Sequence, residues 1–182
     1  MCGLDPAQVV IGVDGCSAPN FAVPLRNAAL GFARLCDPSS LPEKRAQACQ
    51  TITAAMSGNP DMVGGPDNFD TYLMQVGEGK IIAKGGAEGY QGIGLKPGAL
   101  GPGSPALGIT FKISDGDLGS HAHPPSCYAR PAVALEVLRQ LGALSPAEMA
   151  KLASYGPEFI LENWRKIKVG KGYPCFRLER NS

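Results

Sequence analysis

The 182-residue chain has no surplus of charge, with 17 basic side chains against 16 acidic ones. No field draws in a phosphate polyanion, so nucleic acid is not an expected partner. Long apolar runs are also missing, and the opening residues MCGLDPAQ carry neither the basic nor the apolar stretch of a secretory leader. These absences point to a soluble, cytoplasmic protein with no membrane partner. The six cysteines, Cys2, Cys16, Cys36, Cys49, Cys127 and Cys175, form no C-x-x-C pair. Neither a zinc-finger ladder nor a disulfide framework is expected, and most of them should be small buried apolar residues. There is no G-x-S-x-G elbow and no P-loop. No serine stands three residues before any lysine, so the chain carries no S-x-x-K nucleophile.

What is present suits one domain. Hydrophobic residues make up 44% and charged residues 18%, enough to bury a core without staples. The run Val10, Ile11, Gly12, Val13 ending in Asp14-Gly15 reads as a buried strand stopped by a tight turn. Residues 21–36 carry apolar side chains at helical spacing, with Pro24 early in the helix. Ser40, Pro42 and Glu43 open a second helix running to about Met56, and a shorter one follows around residues 69–76. From Lys80 the chain turns Gly-rich and β-branched, and residues 80–89, 90–95 and 109–113 fit two or three antiparallel strands. A helix is expected over residues 131–141, another starts at Ser145-Pro146, and residues 164–178 read as an edge strand. Helices first and strands later, without βαβ alternation, indicate an α+β fold.

Three local patterns bear on chemistry. In Ala83-Lys84-Gly85-Gly86-Ala87-Glu88-Gly89, a strand lysine is followed by two glycines, so a ligand can lie against bare backbone while the ammonium reaches it. The pattern resembles the K-T-G element of penicillin-recognising enzymes, and equally describes a solvated lysine beside a glycine bulge. Cys16 is delivered to a strand end with Asp14, where its thiolate could ligate zinc, but no second cysteine lies at ligand spacing. His121 and His123 share one side of an extended segment, a geometry open to metal or simply to water.

Taken together, VIGVDGCSAPNFAVPL, the Met62-Val63-Gly64-Gly65 to Phe69-Asp70-Thr71 to Leu73-Met74 stretch, IIAKGGAEG, the Lys112 to Gly116 turn and RPAVALEVLRQLGAL resemble the L-asparaginase II family typified by the rhizobial thermolabile enzymes. The resemblance implies a serine-β-lactamase-like, penicillin-binding-like fold and hydrolysis of L-asparagine to L-aspartate and ammonia. It implies catalysis at Lys84, substrate binding at Gly85, Gly86 and Glu88, zinc at Cys16, and Asp14 supporting that ligand. Homo-oligomers are in keeping with it. The family's S-x-x-K serine, a second serine motif and a C-S-G-K-H segment precede the DGC strand and have no counterpart here. The expectation is therefore the C-terminal portion of one asparaginase domain, inactive alone, with residues 118–129 as an inserted loop. The alternatives are a non-catalytic relative that binds a small amide or a partner and, more remotely, a penicillin-recognising protein of another kind.

Overall fold

The computed structural model describes residues 1–113 and 129–179. Among these residues the chain is mixed α+β, with three small antiparallel sheets. Strands β1 (Val10–Val13) and β2 (Pro19–Ala22) form a hairpin. Helices α1 (Leu25–Cys36), α2 (Glu43–Gly58), α3 (Pro60–Gly64) and α4 (Phe69–Val76) follow. The central sheet is a meander of β3 (Ile81–Gly86), β4 (Tyr90–Leu95) and β5 (Leu107–Lys112), with β3 and β5 at its edges. Helices α5 (Ala129–Leu141) and α6 (Pro146–Lys151) lead to a last hairpin of β6 (Phe159–Glu162) and β7 (Lys168–Gly172).

Register sorts the central sheet into two faces, because partners across an antiparallel ladder point the same way. One face carries the rows Ile82, Gly94, Gly108, then Lys84, Gly92, Thr110, then Gly86, Tyr90, Lys112. Helix α1 lies on this face over β4 and β5. The glycines of YQGIGL make that possible. A Cβ on Gly92 would enter the Phe32 ring, one on Gly94 would meet the Cys36 sulfur, and one on Gly108 would run into the backbone of α1 itself. Their φ values are ones any residue adopts, so the requirement is space. The Thr110 hydroxyl donates to the Leu25 carbonyl at 2.7 Å and ties down the start of the helix.

The opposite face holds the rows Ile81, Leu95, Leu107, then Ala83, Ile93, Ile109, then Gly85, Gln91, Phe111. Helices α4 and α5 pack there. Leu73 and Met74 of α4, Ile81, Ile93 and Leu95 of the sheet, and Leu135 and Leu138 of α5 are fully buried. This is the main core. Helix α6 starts on the Ser145/Glu148 capping box, as the sequence pattern predicts.

Three expectations need correction. The β1 run is not a buried strand: Val10, Ile11 and Val13 are 69%, 64% and 76% exposed, because β1 and β2 form a two-stranded sheet whose every position is exposed among the described residues. Residues 19–22 belong to that pairing, so α1 starts at Leu25, with Pro24 as its N-cap residue, rather than at Phe21. The tail forms a hairpin rather than one edge strand, and Trp164 between its strands is 90% exposed. The expected insertion at residues 118–129, with His121 and His123, lies outside the described residues up to 128, and Ala129 already opens α5. Among the described residues no helix is long and apolar enough to cross a membrane.

Candidate functional site

A cleft of about 690 Å³ opens where β2, the first turn of α1 and the β3–β4 connection converge. Its floor is the row Gly86, Tyr90, Lys112 on the α1 face of the sheet, and Asn20 and Phe21 of β2 form a wall. Charge of both signs reaches it: the Lys112 ammonium from the end of β5, and the Glu88 carboxylate from the turn. Lys112 Nζ lies 3.5 Å from the Ala87 carbonyl oxygen. Burial pushes the Tyr90 phenol above its ordinary value, and the neighbouring Cys2 adds to the effect. At neutral pH the hydroxyl is therefore a protonated donor.

Glu88 has φ 59°, in the left-handed region that disfavours any side-chain-bearing residue by about 1 kcal/mol. Glycine or asparagine would occupy that corner more easily. A carboxylate kept in a costly backbone conformation at the rim of a cleft directs attention to what it faces.

Lys84 lies one row further along the same face, paired with Gly92, on edge strand β3. Helix α1 sits over β4 and β5 and leaves Lys84 exposed. Its Nζ donates to the Gly85 carbonyl at 2.6 Å. Of the residues singled out in the sequence, Gly86 and Glu88 line the cleft and Lys84 neighbours it. Gly85 faces the other way. A Cβ there would stand 2.9 Å from Arg130 Cζ and 3.1 Å from Asp70 Oδ2.

Cys16 is exposed at the tip of the β1–β2 hairpin. Asp14 accepts the Cys16 amide at 2.9 Å and the Ala18 amide at 3.1 Å, so its carboxylate shapes the turn that carries the thiol. Among the described residues no three His, Cys, Asp or Glu side chains gather around a common point. Zinc needs three or four protein donors, and one cysteine does not fit that requirement. The described residues do not make a zinc site by themselves.

The cysteines separate clearly. Cys16 and Cys175 are exposed, whereas Cys36 and Cys49 are buried. Burial pushes the Cys36 thiol up to about 12, outweighing the nearby Lys96. The thiolate is the reactive species, so iodoacetamide near neutral pH should label Cys16 and Cys175 and spare Cys36, as read by peptide mass spectrometry. Equal labelling of Cys36 and Cys16 would mean that α1 does not stay seated on Gly94.

Sequence reasoning did not assign a role to a buried polar cluster directly behind Lys84. Asp70 of α4 and Gln91 of β4 are 2% and 0% exposed, and Arg130 of α5 joins them. The Asp70 carboxylate accepts the Gly85 amide on one oxygen and Gln91 Nε2, at 3.0 Å, on the other. Arg130 Nη1 donates to Gln91 Oε1 and lies 3.6 Å from Asp70 Oδ1. A charged residue in a helix start flanked by apolar positions was the available signal, and Asp70 lay in a motif already noted.

A second depression, about 710 Å³, lies between α5 and residues 176–178. Its Glu136 carboxylate is held by Arg139 at 2.7 and 2.8 Å and also accepts from Gln140. That ion pair is already satisfied, and the depression is a seat for the C-terminal segment, where Gln140 bonds Phe176 and Leu178 backbone.

No curated protein matches the chain. The family model of L-asparaginase II matches residues 1–173, which includes the DGC hairpin, the lysine-bearing edge strand and the cleft between them, and the chain belongs to that family.

Proposed function

We propose that this chain forms the lysine-bearing, substrate-holding part of an asparagine amidohydrolase, which converts L-asparagine and water to L-aspartate and ammonia. Family membership supports amide hydrolysis as the reaction class. The observation that carries the finer reading is the cleft beside Lys84, where Lys112 and Glu88 present opposite charges. Asparagine bears an α-carboxylate and an α-ammonium. Lys112 suits the first and Glu88 the second, which leaves the side-chain carboxamide free to extend towards the Lys84 row.

In the serine acyl-enzyme route that the resemblance implies, a serine oxygen bonds to the carboxamide carbon and negative charge develops on the amide oxygen. The C–N bond then breaks, the nitrogen leaves with an added proton as ammonia, and water cleaves the resulting ester to aspartate. Lys84 is assigned the stabilisation of that charge, a role suited to an ammonium on a glycine-flanked edge. The serine lies outside these residues, since no S-x-x-K occurs in them. A helix on one face of an antiparallel meander, helices on the other and a lysine on the edge strand agree with a serine-β-lactamase-like fold. The same reading makes Cys16 a single zinc donor completed by donors outside the described residues, and no step above depends on it. It also takes the protein as cytoplasmic and homo-oligomeric.

Ammonia release from asparagine is the test. The chain by itself should release none, and the chain joined to an S-x-x-K segment should. Glu88→Gly should stabilise the fold by up to about 1 kcal/mol, since it removes the left-handed φ penalty, yet weaken asparagine binding in calorimetric titration. Tighter or unchanged binding would remove Glu88 from the site. The missing S-x-x-K also favours a second reading, a relative that binds the amide without splitting it. Asparagine binding with no ammonia from the joined form would select that reading.

A further inference from the structure

We infer that Asp70 is a positioning residue that fixes the lysine-bearing edge through the backbone of Gly85; its catalytic consequence rests on the function proposed above, whereas its structural consequence does not. Lys84 is followed by two glycines, the residues with the widest backbone freedom. They lie on an edge strand, where β4 holds the peptide groups on one side only. Left to themselves, the peptide planes after Lys84 would be under-determined just where a catalytic ammonium has to be aimed.

The structure supplies the missing constraint from the outer side. The Gly85 amide belongs to the peptide unit that begins at the Lys84 carbonyl carbon, and it donates to the Asp70 carboxylate instead of to another strand. The carbonyl of Gly85, in the next unit, accepts the Lys84 ammonium at 2.6 Å. Asp70 is itself held: its amide donates to the Asn68 side chain at 3.0 Å at the helix start, Gln91 donates to one carboxylate oxygen, and Arg130 stands 3.6 Å away. Gln91 also donates at 3.2 Å to the carbonyl of Gly92, the residue paired with Lys84. Three elements thus converge on one peptide group.

A stability role alone accounts poorly for this arrangement. Buried ion pairs are often matched or bettered in stability by apolar packing of the same volume. What apolar side chains cannot do is accept the amide of Gly85. The glycine is required on both counts, since a Cβ would strike the Arg130 guanidinium. The side-chain direction of Lys84 is therefore set from the opposite face of the sheet, by a carboxylate that does not line the cleft.

The test uses the full chain with Asp70→Asn, and with the double variant Asp70→Asn, Arg130→Gln, which removes both charges of the pair and remains available should the single variant fail to fold. Amide hydrogen exchange and the ¹³C signal of reductively methylated Lys84 are read by NMR. Exchange at Gly85 should accelerate about tenfold or more, the ratio that corresponds to weakening a hydrogen bond to a charged group. Ile82 and Gly94, within the β3–β4 ladder, should keep their wild-type rates, and the Lys84 methyl signal should move. In the ammonia-releasing form, kcat should fall by about the same factor with KM little changed.

Unchanged Gly85 exchange overturns the assignment, as does equal acceleration across the whole sheet, which would mark a merely structural residue. So does a locally loosened Gly85 with unaltered kcat in an active protein. If wild type proves inactive in every form while Gly85 and Lys84 respond to Asp70→Asn, the positioning network stands and the amidohydrolase reading fails.

Discussion

Gly108→Ala should be among the most damaging single substitutions in the sheet, although it adds only one methyl group. The new Cβ would stand 2.7 Å from the Ala33 amide nitrogen and closer still to the Ala29 carbonyl oxygen. Both are backbone atoms of α1, so no rotamer change relieves the clash and the helix has to lift. Lifting it uncovers Cys36 and loosens Phe32, which packs against the core. Alanine in place of glycine narrows the unfolded ensemble and by itself stabilises by about 0.4–1 kcal/mol. Overpacking against rigid atoms costs about 1–3 kcal/mol and occasionally more, so the clash wins. A net loss of about 2 kcal/mol corresponds to a fall in Tm of about 4–8 °C for a chain of this size. Gly92→Ala meets the Phe32 ring, a side chain that can rotate, and should cost distinctly less. Thermal unfolding of the two variants gives the order directly, and equal Tm values would show that α1 does not rest on the glycine rows.

Lys84→Ala should leave stability almost untouched and remove activity. The side chain is exposed, and its described hydrogen bond goes to the neighbouring carbonyl, so folding loses little. If the ammonium meets the charge that develops on the carboxamide oxygen, its loss should lower kcat by about 10²–10³, the range seen when one stabilising donor is removed. KM should stay close to wild type, because Lys112 and Glu88, one row away, are assigned the α-substituents. Steady-state ammonia release by the S-x-x-K-joined form separates the two parameters. A rise in KM with kcat preserved would make Lys84 a binding residue only.

Part of this architecture was legible in the residues and part was not, for physical reasons. Helix α4 and strand β4 occupy the residues their periodicity indicates, since both are apolar patterns bounded by turn signals. The Ser145/Glu148 capping box is a local interaction and equally readable. Burial was misjudged at Val10–Val13, because an apolar run reports what a strand could cover and says nothing of whether anything covers it. The glycines at 92, 94 and 108 were read as strand composition. Their role as a seat for α1 depends on a helix more than fifty residues upstream of them. The cluster of Asp70, Gln91 and Arg130 was invisible for the same reason: each lies on a different element, and only packing brings them to one glycine amide. Lys84 could be placed on a strand and Glu88 in the turn after it from the sequence, whereas Lys112 joins them only through the β4–β5 register.

Titration of the isotopically labelled chain with L-asparagine, followed by backbone and side-chain chemical shifts, locates the ligand without requiring turnover. Perturbations confined to Asn20, Phe21, Gly86, Glu88, Tyr90 and Lys112, and spreading to Lys84, are the predicted result. Shifts concentrated around Glu136 and Arg139, or none at saturating asparagine, would contradict an amide site at this edge of the sheet.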